Sequence, residues 1–316
     1  MTFSSTVKEE VSRLDTTKPE SISELSAIIR NSASIDKSIL IHLENNFVAR
    51  RIYKLIKSLY DVTPVITVRK KYFSNGLSYI LDVRNKNEEI LNDLSIIDNN
   101  NNYLNIPKEY IVSDEETIRA YLRGLFVVSG SVNDPKTSRY HLEFVVDNNS
   151  YAQFIKSLLD NYNLNAKIIK RTKNYTVYIK EAEKISDFLR VIKAYNAVLY
   201  FEDIRIYRDH KNMVNRLNNC EIANQEKTFR TGQAQVEAIN YLISHDLMGL
   251  LDENTRIVAN ARIKYPEVSM QELADIVTLE YNYKIGKSGI NHRFIKINNL
   301  VKNHKERSGN DESKIS

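Results

Sequence analysis

The sequence predicts an α+β protein in which one unit is duplicated and a separate all-α region follows. Two stretches, Leu25–Ile35 and Leu122–Val132, share one pattern of apolar, small and serine residues at a constant separation of 97 positions (25 to 122 and 35 to 132). The segments after them also repeat, since Ile39–Leu59 is echoed by Tyr140–Leu158. Beyond residue 210 the repeat is lost and only helical patterns continue. The duplication predicts a pseudo-twofold body, a shape suited to a nearly twofold partner such as duplex DNA.

Each repeat is expected to run α-β-α-β-β-α, with Asn75-Gly76 marking a hairpin turn in the first. The elements predicted up to residue 97 are helices Ser4–Leu14, Ser21–Arg30, Asn46–Tyr60 and Glu88–Ile97 and strands Ile39–Leu43, Val65–Tyr72 and Ser78–Val83. Those of the second repeat are helices Glu115–Val128, Ser150–Tyr162 and Lys180–Tyr195 and strands Tyr140–Val146, Ala166–Arg171 and Tyr175–Ile179. Neither small sheet can bury its inner face alone, so the repeats are expected to pair.

The C-terminal region has the pattern of a helix-turn-helix. Helix Thr255–Lys264 is followed by Ser269, which begins a capping box with Glu272 and opens helix Met270–Val277. Ser288 is the predicted N-cap of the last helix, Gly289–Lys302. In a helix-turn-helix, one helix braces and the next presents its N-terminal polar face to the major groove.

The last helix has an apolar stripe of Ile290, Phe294 and Ile297, which leaves a polar face for DNA. Amide and basic side chains can bond to base edges, while lysine and arginine hold phosphates. The candidate DNA contacts of this region are Ser269, Glu272, Lys287, Ser288, Asn291, His292, Arg293, Lys296 and Asn299, of which Lys287, Arg293 and Lys296 are the predicted phosphate contacts.

Five segments follow from these patterns. They are a first repeat (1–97), a second repeat (103–210), a helical linker (211–240), a helix-turn-helix domain (241–305) and a disordered tail (306–316).

Composition excludes several classes of protein. Of the residues, 27% are charged, and no run approaches the roughly 20 apolar residues of a membrane span. A single cysteine, Cys220, excludes an internal disulfide and a multi-cysteine zinc site. The N-terminus is not a secretory signal, and the net charge of +5 favours polyanionic partners. We therefore expect a cytoplasmic, nucleoid-associated protein without a cofactor.

The two repeated stretches resemble the LAGLIDADG motif of homing endonucleases. In both copies small residues, Ala27 and Gly124, fall where two helices can meet closely. The resemblance implies paired motif helices between two DNA-binding saddles, with an acidic metal ligand at the eighth motif position. Those positions are Ser32 and Ser129 here, and serine is a poor Mg²⁺ ligand beside a carboxylate. The resemblance thus implies an endonuclease scaffold without a metal site or nuclease activity.

Cations follow the strands that such a scaffold would lay along DNA. They are Arg69, Lys70 and Lys71 in the first repeat and Lys170, Arg171 and Lys173 in the second. These residues are candidates for phosphate contacts. The alternatives are an ordinary solvated sheet face and a body that is retained only as a structural element or to bind a protein partner.

Three further segments, Phe201–Asp209, Asn215–Asn224 and Lys287–Arg293, resemble the WhiA family. That family joins a degenerate LAGLIDADG body to a helix-turn-helix similar to region 4 of sigma factors. The second motif of the family more usually carries glycine at the position of Ser129, which is also non-acidic. The resemblance implies a DNA-binding regulator of cell division, chromosome segregation and, in spore formers, sporulation.

We therefore expect a non-enzymatic, sequence-specific transcriptional regulator that binds double-stranded DNA as a monomer. One alternative is a scaffold for a protein partner, such as RNA polymerase or a division factor, with secondary DNA contact. An active homing-type endonuclease is the other alternative, opposed by the two serines.

Overall fold

The structure, a computed structural model, describes residues 2–70 and 76–312, with side chains as far as residue 307. It divides into two compact units, Met1–Asp209 and His210–Ser316. Within the described residues, no helix combines the length and apolar composition that a bilayer crossing requires.

The elements of the first unit follow the predicted order with shifted ends. Its helices are α1 (Phe3–Val11), α2 (Lys18–Ser32), α3 (Asn46–Tyr60), α4 (Asn87–Asp93), α5 (Glu115–Ser129), α6 (Asn149–Asp160) and α7 (Ala182–Val191). Its strands are β1 (Ala33–Ile35), β2 (Ile39–Leu43), β3 (Val65–Lys70), β4 (Leu77–Val83), β5 (Gly130–Val132), β6 (Leu142–Val146), β7 (Lys167–Lys170) and β8 (Tyr175–Ile179). The predicted hairpin turn as far as Asn75, and the end of the strand before it, fall on residues 71–75, outside the described residues.

The helices that open the two repeats begin at capping boxes. The Thr17 side chain accepts the N–H of Glu20, and the Glu20 carboxylate accepts the N–H of Thr17 at 2.8 Å. Pro19 lies in the first turn of α2, where its missing N–H breaks no helical bond. α2 therefore begins before Pro19 and not after it, and α5 opens with the same device.

Each repeat contains a four-stranded antiparallel sheet where the sequence pattern predicted three strands. The strand orders are β1-β2-β4-β3 and β5-β6-β8-β7. The extra strands continue directly from α2 and α5, because Ala33 and Gly130 leave the helix with extended backbone (ψ 138° and 149°). Three residues are too few for a two-residue periodicity to be visible in sequence.

Helices α2 and α5 pack against each other at the centre of the first unit. A Cβ atom on Gly124 would lie 2.3 Å from the backbone oxygen of Glu24, so the two backbones touch at this point. The Ser23 hydroxyl donates to the Thr117 carbonyl of the opposite helix at 2.6 Å. The small motif residue Gly124 therefore lies where the helices meet, as predicted.

A buried ion-pair network distinguishes the two motif helices. The Glu24 carboxylate is 1% exposed, with Oε2 2.9 Å from Nη2 of Arg123 and 3.0 Å from Nη2 of Arg51. The equivalent position in α5 is Tyr121, whose hydroxyl is bonded to that of Tyr151 at 2.8 Å. Removing one partner of a buried ion pair costs about 3–5 kcal/mol, so this network ties α5 to one orientation on α2.

A long helix, α8 (Tyr195–Ser244), follows a short break after α7. Lys193 has a left-handed backbone (φ 63°), and the N–H of Ala194 donates to the Leu189 carbonyl, which closes α7 in a Schellman-type end. The sequence pattern predicted a single helix as far as Tyr195. The predicted helical linker at 211–240 is part of α8.

The second unit has its own core. Its further helices are α9 (Glu253–Lys264), α10 (Met270–Glu280) and α11 (Lys287–Glu312). Helices α8 to α11 contribute buried apolar side chains to it, among them Ile239, Leu242, Val258, Leu273, Val277, Ile290, Phe294 and Ile297. The predicted apolar stripe of the last helix therefore packs in this core.

The last helix begins and ends differently from the prediction. It begins at Lys287, and its first turn is closed by a bond from the Ile290 N–H to the Gly286 carbonyl at 3.0 Å. Ser288 therefore lies inside the first turn and is not the N-cap. The helix also runs to residue 312, into the expected disordered tail, where Lys302 and Glu306 form an i,i+4 pair at 3.8 Å. Residues 313–316 lie outside the described residues.

Candidate nucleic-acid interface

The two serines at the eighth motif positions are bonded within their own helices. The Ser32 hydroxyl donates to the Ile28 carbonyl at 2.7 Å, and the Ser129 hydroxyl donates to the Leu125 carbonyl at 3.0 Å. In residues 2–70 and 76–312, no group of three or more His, Cys, Asp or Glu side chains is placed to hold a metal ion. The ends of the motif helices therefore offer hydroxyls already engaged with backbone, and no carboxylate at either position.

One face of each sheet packs on the buried core. We call the opposite face the outer face. Cross-strand partners share a face, and successive residues alternate between faces. Leu81 pairs with Ile66, and Val177 with Ile168, so these residues mark the core side. The outer face of the first sheet comprises Leu40, His42, Val65, Thr67, Arg69, Ser78, Ile80 and Asp82. That of the second comprises Glu143, Val145, Lys167, Ile169, Thr176 and Tyr178.

In the first sheet, the three predicted cations are not all on the outer face. Arg69 lies there, whereas Lys70 pairs with Leu77 on the core side of the sheet. Lys71 lies outside the described residues. Since neighbouring residues of a strand point to opposite faces, Arg69 and Lys70 cannot contact one DNA backbone together from the same surface. Of the two described cations, Arg69 alone therefore remains a candidate for phosphate contact from the outer face.

The predicted cations of the second sheet also do not share one face. Lys170 pairs with Tyr175 on the core side, so it too is separated from the outer face. Arg171 follows β7 by one residue, and its Nη2 reaches the Glu143 carboxylate of the outer face at 3.8 Å. Lys173 is exposed in the turn between β7 and β8.

Two cations of the second outer face were not singled out from the sequence. Lys167 pairs with Tyr178 across β7 and β8, and the Lys180 ammonium lies 4.9 Å from the centroid of the Tyr178 ring. Counting back by twos from Arg171 reaches Lys167, so strand alternation would have found it. Glu143, which also contacts His141 at 3.1 Å, is the acidic member of this face.

In the second unit, Ser269 and Glu272 form the predicted capping box. The Ser269 Oγ accepts the Glu272 N–H at 3.2 Å, and the Glu272 carboxylate accepts the Ser269 N–H at 2.7 Å. These bonds lower the pKa of Glu272. Both side chains are thus engaged in fixing the start of α10.

Helix α11 presents a largely polar face to solvent in its first turns. At 3.6 residues per turn, four exposed residues between positions 287 and 299 lie on the side opposite buried Ile290, Phe294 and Ile297. We call these the outward face, and they are Ser288, His292, Ile295 and Asn299. The exposed side chains of Lys287, Asn291 and Lys296 flank this face.

Arg293 is held inside the second unit and does not project freely. Its Nη1 lies 3.1 Å from Oδ1 of Asp252, and its Nη2 donates to the Tyr283 hydroxyl at 2.9 Å. Lys296 reaches the other oxygen of the same carboxylate at 3.3 Å. Arg293 therefore braces α11 against the start of α9, which favours a structural role over the expected phosphate contact.

The carboxylate of Asp252 is the centre of this brace. It also accepts the N–H of Thr255, which makes it the N-cap of α9. Partial desolvation opposes its ionisation, but the hydrogen bonds from Thr255 and Lys296 and the charge of Arg293 outweigh that effect. They lower the pKa of Asp252 to about 2. The brace is therefore fully charged at neutral pH.

Arg262 shapes the loop that leads into α10. It is 1% exposed, and its Nη1 donates to the Val268 carbonyl at 2.7 Å and to the Tyr265 carbonyl at 3.2 Å. Its guanidinium lies 5.7 Å from the centroid of the Phe294 ring of α11. Sequence reasoning missed both Arg262 and Asp252. The carbonyls that Arg262 binds lie in an irregular loop, and the cations that pair with Asp252 are 41 and 44 positions away in the sequence.

Three family models match the chain. The WhiA N-terminal LAGLIDADG-like domain matches residues 18–97, the WhiA LAGLIDADG-like domain matches 118–211, and the WhiA C-terminal HTH domain matches 214–301. The predicted fold class, a duplicated LAGLIDADG-like body followed by a helix-turn-helix region, is therefore confirmed.

Known proteins match over nearly the whole chain. Proteins named "Probable cell division protein WhiA" from Staphylococcus aureus strains JH9 and Newman are each 41% identical over 307 residues, which covers 95% of this chain and 96% of the relative. The crystal structure of full-length DUF199/WhiA from "Thermatoga maritima" matches with a TM-score of 0.59 and 26% identity, covering 96% of this chain and 99% of that one. The chain therefore belongs to the WhiA family.

Proposed function

We propose that this protein is a non-enzymatic, sequence-specific DNA-binding regulator in which α11 reads the bases. The observation that carries the proposal is the outward face of α11, which is exposed, carries hydrogen-bonding side chains and is set on a helix that packs and pairs with its neighbours through its other sides. Neutral polar side chains on such a helix are suited to base edges in the major groove. The match to a WhiA helix-turn-helix domain supports the same role.

The biological process is proposed from the family. The S. aureus relatives carry the name of a probable cell division protein. For this chain we propose transcriptional control linked to cell division, chromosome segregation and, in a spore former, sporulation. It would act on chromosomal DNA in the cytoplasm as a monomer, with RNA polymerase or a division factor as the protein partner.

The absence of nuclease activity is proposed from the chemistry of Ser32 and Ser129. A hydroxyl supplies neither the charge nor the hard anionic oxygen that a Mg²⁺ site needs, and both hydroxyls are bonded to helix carbonyls. We expect full-length protein with Mg²⁺ or Mn²⁺ to leave supercoiled and linear DNA uncut. Site-specific cleavage would instead favour the homing-endonuclease alternative.

For the first unit we propose phosphate contacts from the second outer face. Lys167, Lys180 and Arg171 lie on or beside this face, and the Glu143 carboxylate lies near Arg171. In the first sheet, by contrast, Asp82 and Arg84 are paired at 2.7 Å. Phosphate contacts release counterions, so they make binding depend steeply on salt.

A matched pair of variants tests this surface. Lys167→Ala with Arg171→Ala removes two outer-face cations, and Lys70→Ala with Lys170→Ala removes two exposed cations from the core side of the sheets. If each lost contact changes the slope of log affinity against log salt by about 0.9, the first variant should flatten that slope by about 1.8. The second should leave it unchanged. Equal slopes for the two variants would point to the alternative, a body that faces protein.

The proposed base-reading role is tested by selection from a randomised duplex pool with full-length protein. The wild type should enrich a defined motif, whereas Ser288→Ala with His292→Ala should retain weak, salt-dependent binding without enriching it. Asn298→Ala is the matched control, because Asn298 is exposed on the same helix but lies outside the outward face. If the double variant selected the wild-type motif, α11 would not be the reading helix.

A further inference from the structure

The outward face of α11 contains one apolar side chain among polar ones. Ile295 is 47% exposed and lies between His292 and Asn299, roughly one helical turn from each. The other apolar residues of α11 nearby, Ile290, Phe294 and Ile297, are no more than 2% exposed. Ile295 is therefore placed on the proposed reading surface and takes no part in the core.

Two cations beside the outward face pair with one acidic side chain of the same unit, and the Lys296 side chain is still 46% exposed. Lys296 and Arg293 share the Asp252 carboxylate at 3.3 Å and 3.1 Å, which keeps both ammonium and guanidinium groups to one side of α11. The side chains of the outward face itself are the ones placed to discriminate between bases. Among these, an isoleucine can neither donate nor accept a hydrogen bond, so it can only recognise an apolar group.

The major groove offers one such group in a standard duplex. Guanine, cytosine and adenine present hydrogen-bond donors and acceptors there, whereas thymine also presents its C5-methyl. Resting on the proposed base-reading role of α11, we propose that Ile295 contacts the methyl group of a thymine and is a specificity-determining residue. His292 and Asn299 flank that contact, and the bound motif contains an A·T pair at this central position.

The test compares thymine with uracil, which differs only by the absent methyl group. A motif is selected from a randomised duplex pool by full-length protein, and each thymine of that motif is then replaced singly by uracil. One replacement should weaken wild-type binding about fourfold, because burying one such carbon group stabilises by about 0.8 kcal/mol. Ile295→Ala should bind the thymine and uracil duplexes equally, and Ile295→Val, which keeps a branched side chain, should retain part of the preference.

The outcomes separate this proposal from the proposed function. A selected motif in which no uracil replacement weakens wild-type binding twofold overturns the thymine contact and leaves base reading by α11 intact. The same conclusion follows if Ile295→Ala keeps the full preference for thymine. A pool from which no motif is enriched overturns the proposed function and the thymine contact with it. Circular dichroism of Ile295→Ala verifies its fold, which we expect to be unchanged since the side chain lies outside the core.

Discussion

Replacing Arg293 with alanine should destabilise the second unit, because the brace between α9 and α11 is lost. The guanidinium bridges the Asp252 carboxylate and the Tyr283 hydroxyl, and its side chain is 20% exposed. A surface ion pair stabilises by roughly 0.2–1 kcal/mol and a hydrogen bond to a charged group by about 1.5–3 kcal/mol. The Arg293 bridge is partly buried and lies between these limits, so we expect the free energy of unfolding of the second unit to fall by about 1–2 kcal/mol. Asp252 keeps its bonds to Thr255 and Lys296, which limits the effect.

Thermal unfolding followed by circular dichroism measures this loss. At about 4–8 °C per kcal/mol for a domain of this size, the midpoint of the second unit should fall by roughly 5–15 °C. Lys287→Ala, which removes an exposed cation from the first turn of the same helix, should leave the midpoint within about 2 °C, as surface substitutions change stability little.

The competing interpretation predicts the opposite pattern. If Arg293 were a phosphate contact without a structural role, Arg293→Ala would keep the wild-type midpoint and would flatten the salt dependence of DNA binding by about 0.9. That result would refute the brace. Under our interpretation, the salt slope is nearly unchanged, and affinity falls because α11 is less firmly held.

Two further predictions concern the helix pair and the Asp252 carboxylate. Gly124→Ala should lower the free energy of unfolding of the first unit by about 1–3 kcal/mol or more, since the new Cβ would lie 2.3 Å from the Glu24 backbone oxygen. The control is Gly249→Ala, which meets no atom within 4 Å and lies in the second unit, so it should leave the urea midpoint of the first unit unchanged; an unchanged first-unit midpoint for Gly124→Ala would contradict the close approach. Asp252→Asn keeps an N-cap but removes the charge. Because the folded pKa is about 2 and the unfolded value about 3.9, the stabilisation is complete above pH 4 and is lost as pH falls towards 2. Urea midpoints of wild type and Asp252→Asn should therefore differ at pH 7 and converge near pH 2, and a constant gap would argue against this carboxylate as the source.

The features that could be predicted from sequence are those set by local or periodic rules. The capping box at Ser269 and Glu272 needs only a three-residue spacing, and the apolar stripe of α11 needs only the helical period. The helix pair was visible because two distant segments repeat one pattern, and the small residue Gly124 marks the point of contact. Each of these signals is contained in the order of the residues themselves.

The features that sequence reasoning missed depend on tertiary contacts or on very short elements. Arg293 and Asp252 are 41 positions apart, and nothing local indicates that one will hold the other. β1 and β5 have three residues each and merge with the helices before them. The separation of Lys70 from Arg69 is different, because it follows from a local rule. Successive residues of a strand point to opposite faces, and this alternation is visible in the sequence.

Methylation interference on the selected duplex tests most directly whether the outward face of α11 reads base edges in the major groove. Dimethyl sulfate methylates guanine at N7, which faces the major groove, and adenine at N3, which faces the minor groove. We predict that N7 methylation within the motif excludes DNA from the complex with wild-type protein, and that Ser288→Ala with His292→Ala removes this discrimination. Interference at adenine N3 alone, with no effect of guanine N7 methylation anywhere in the motif, would contradict the account.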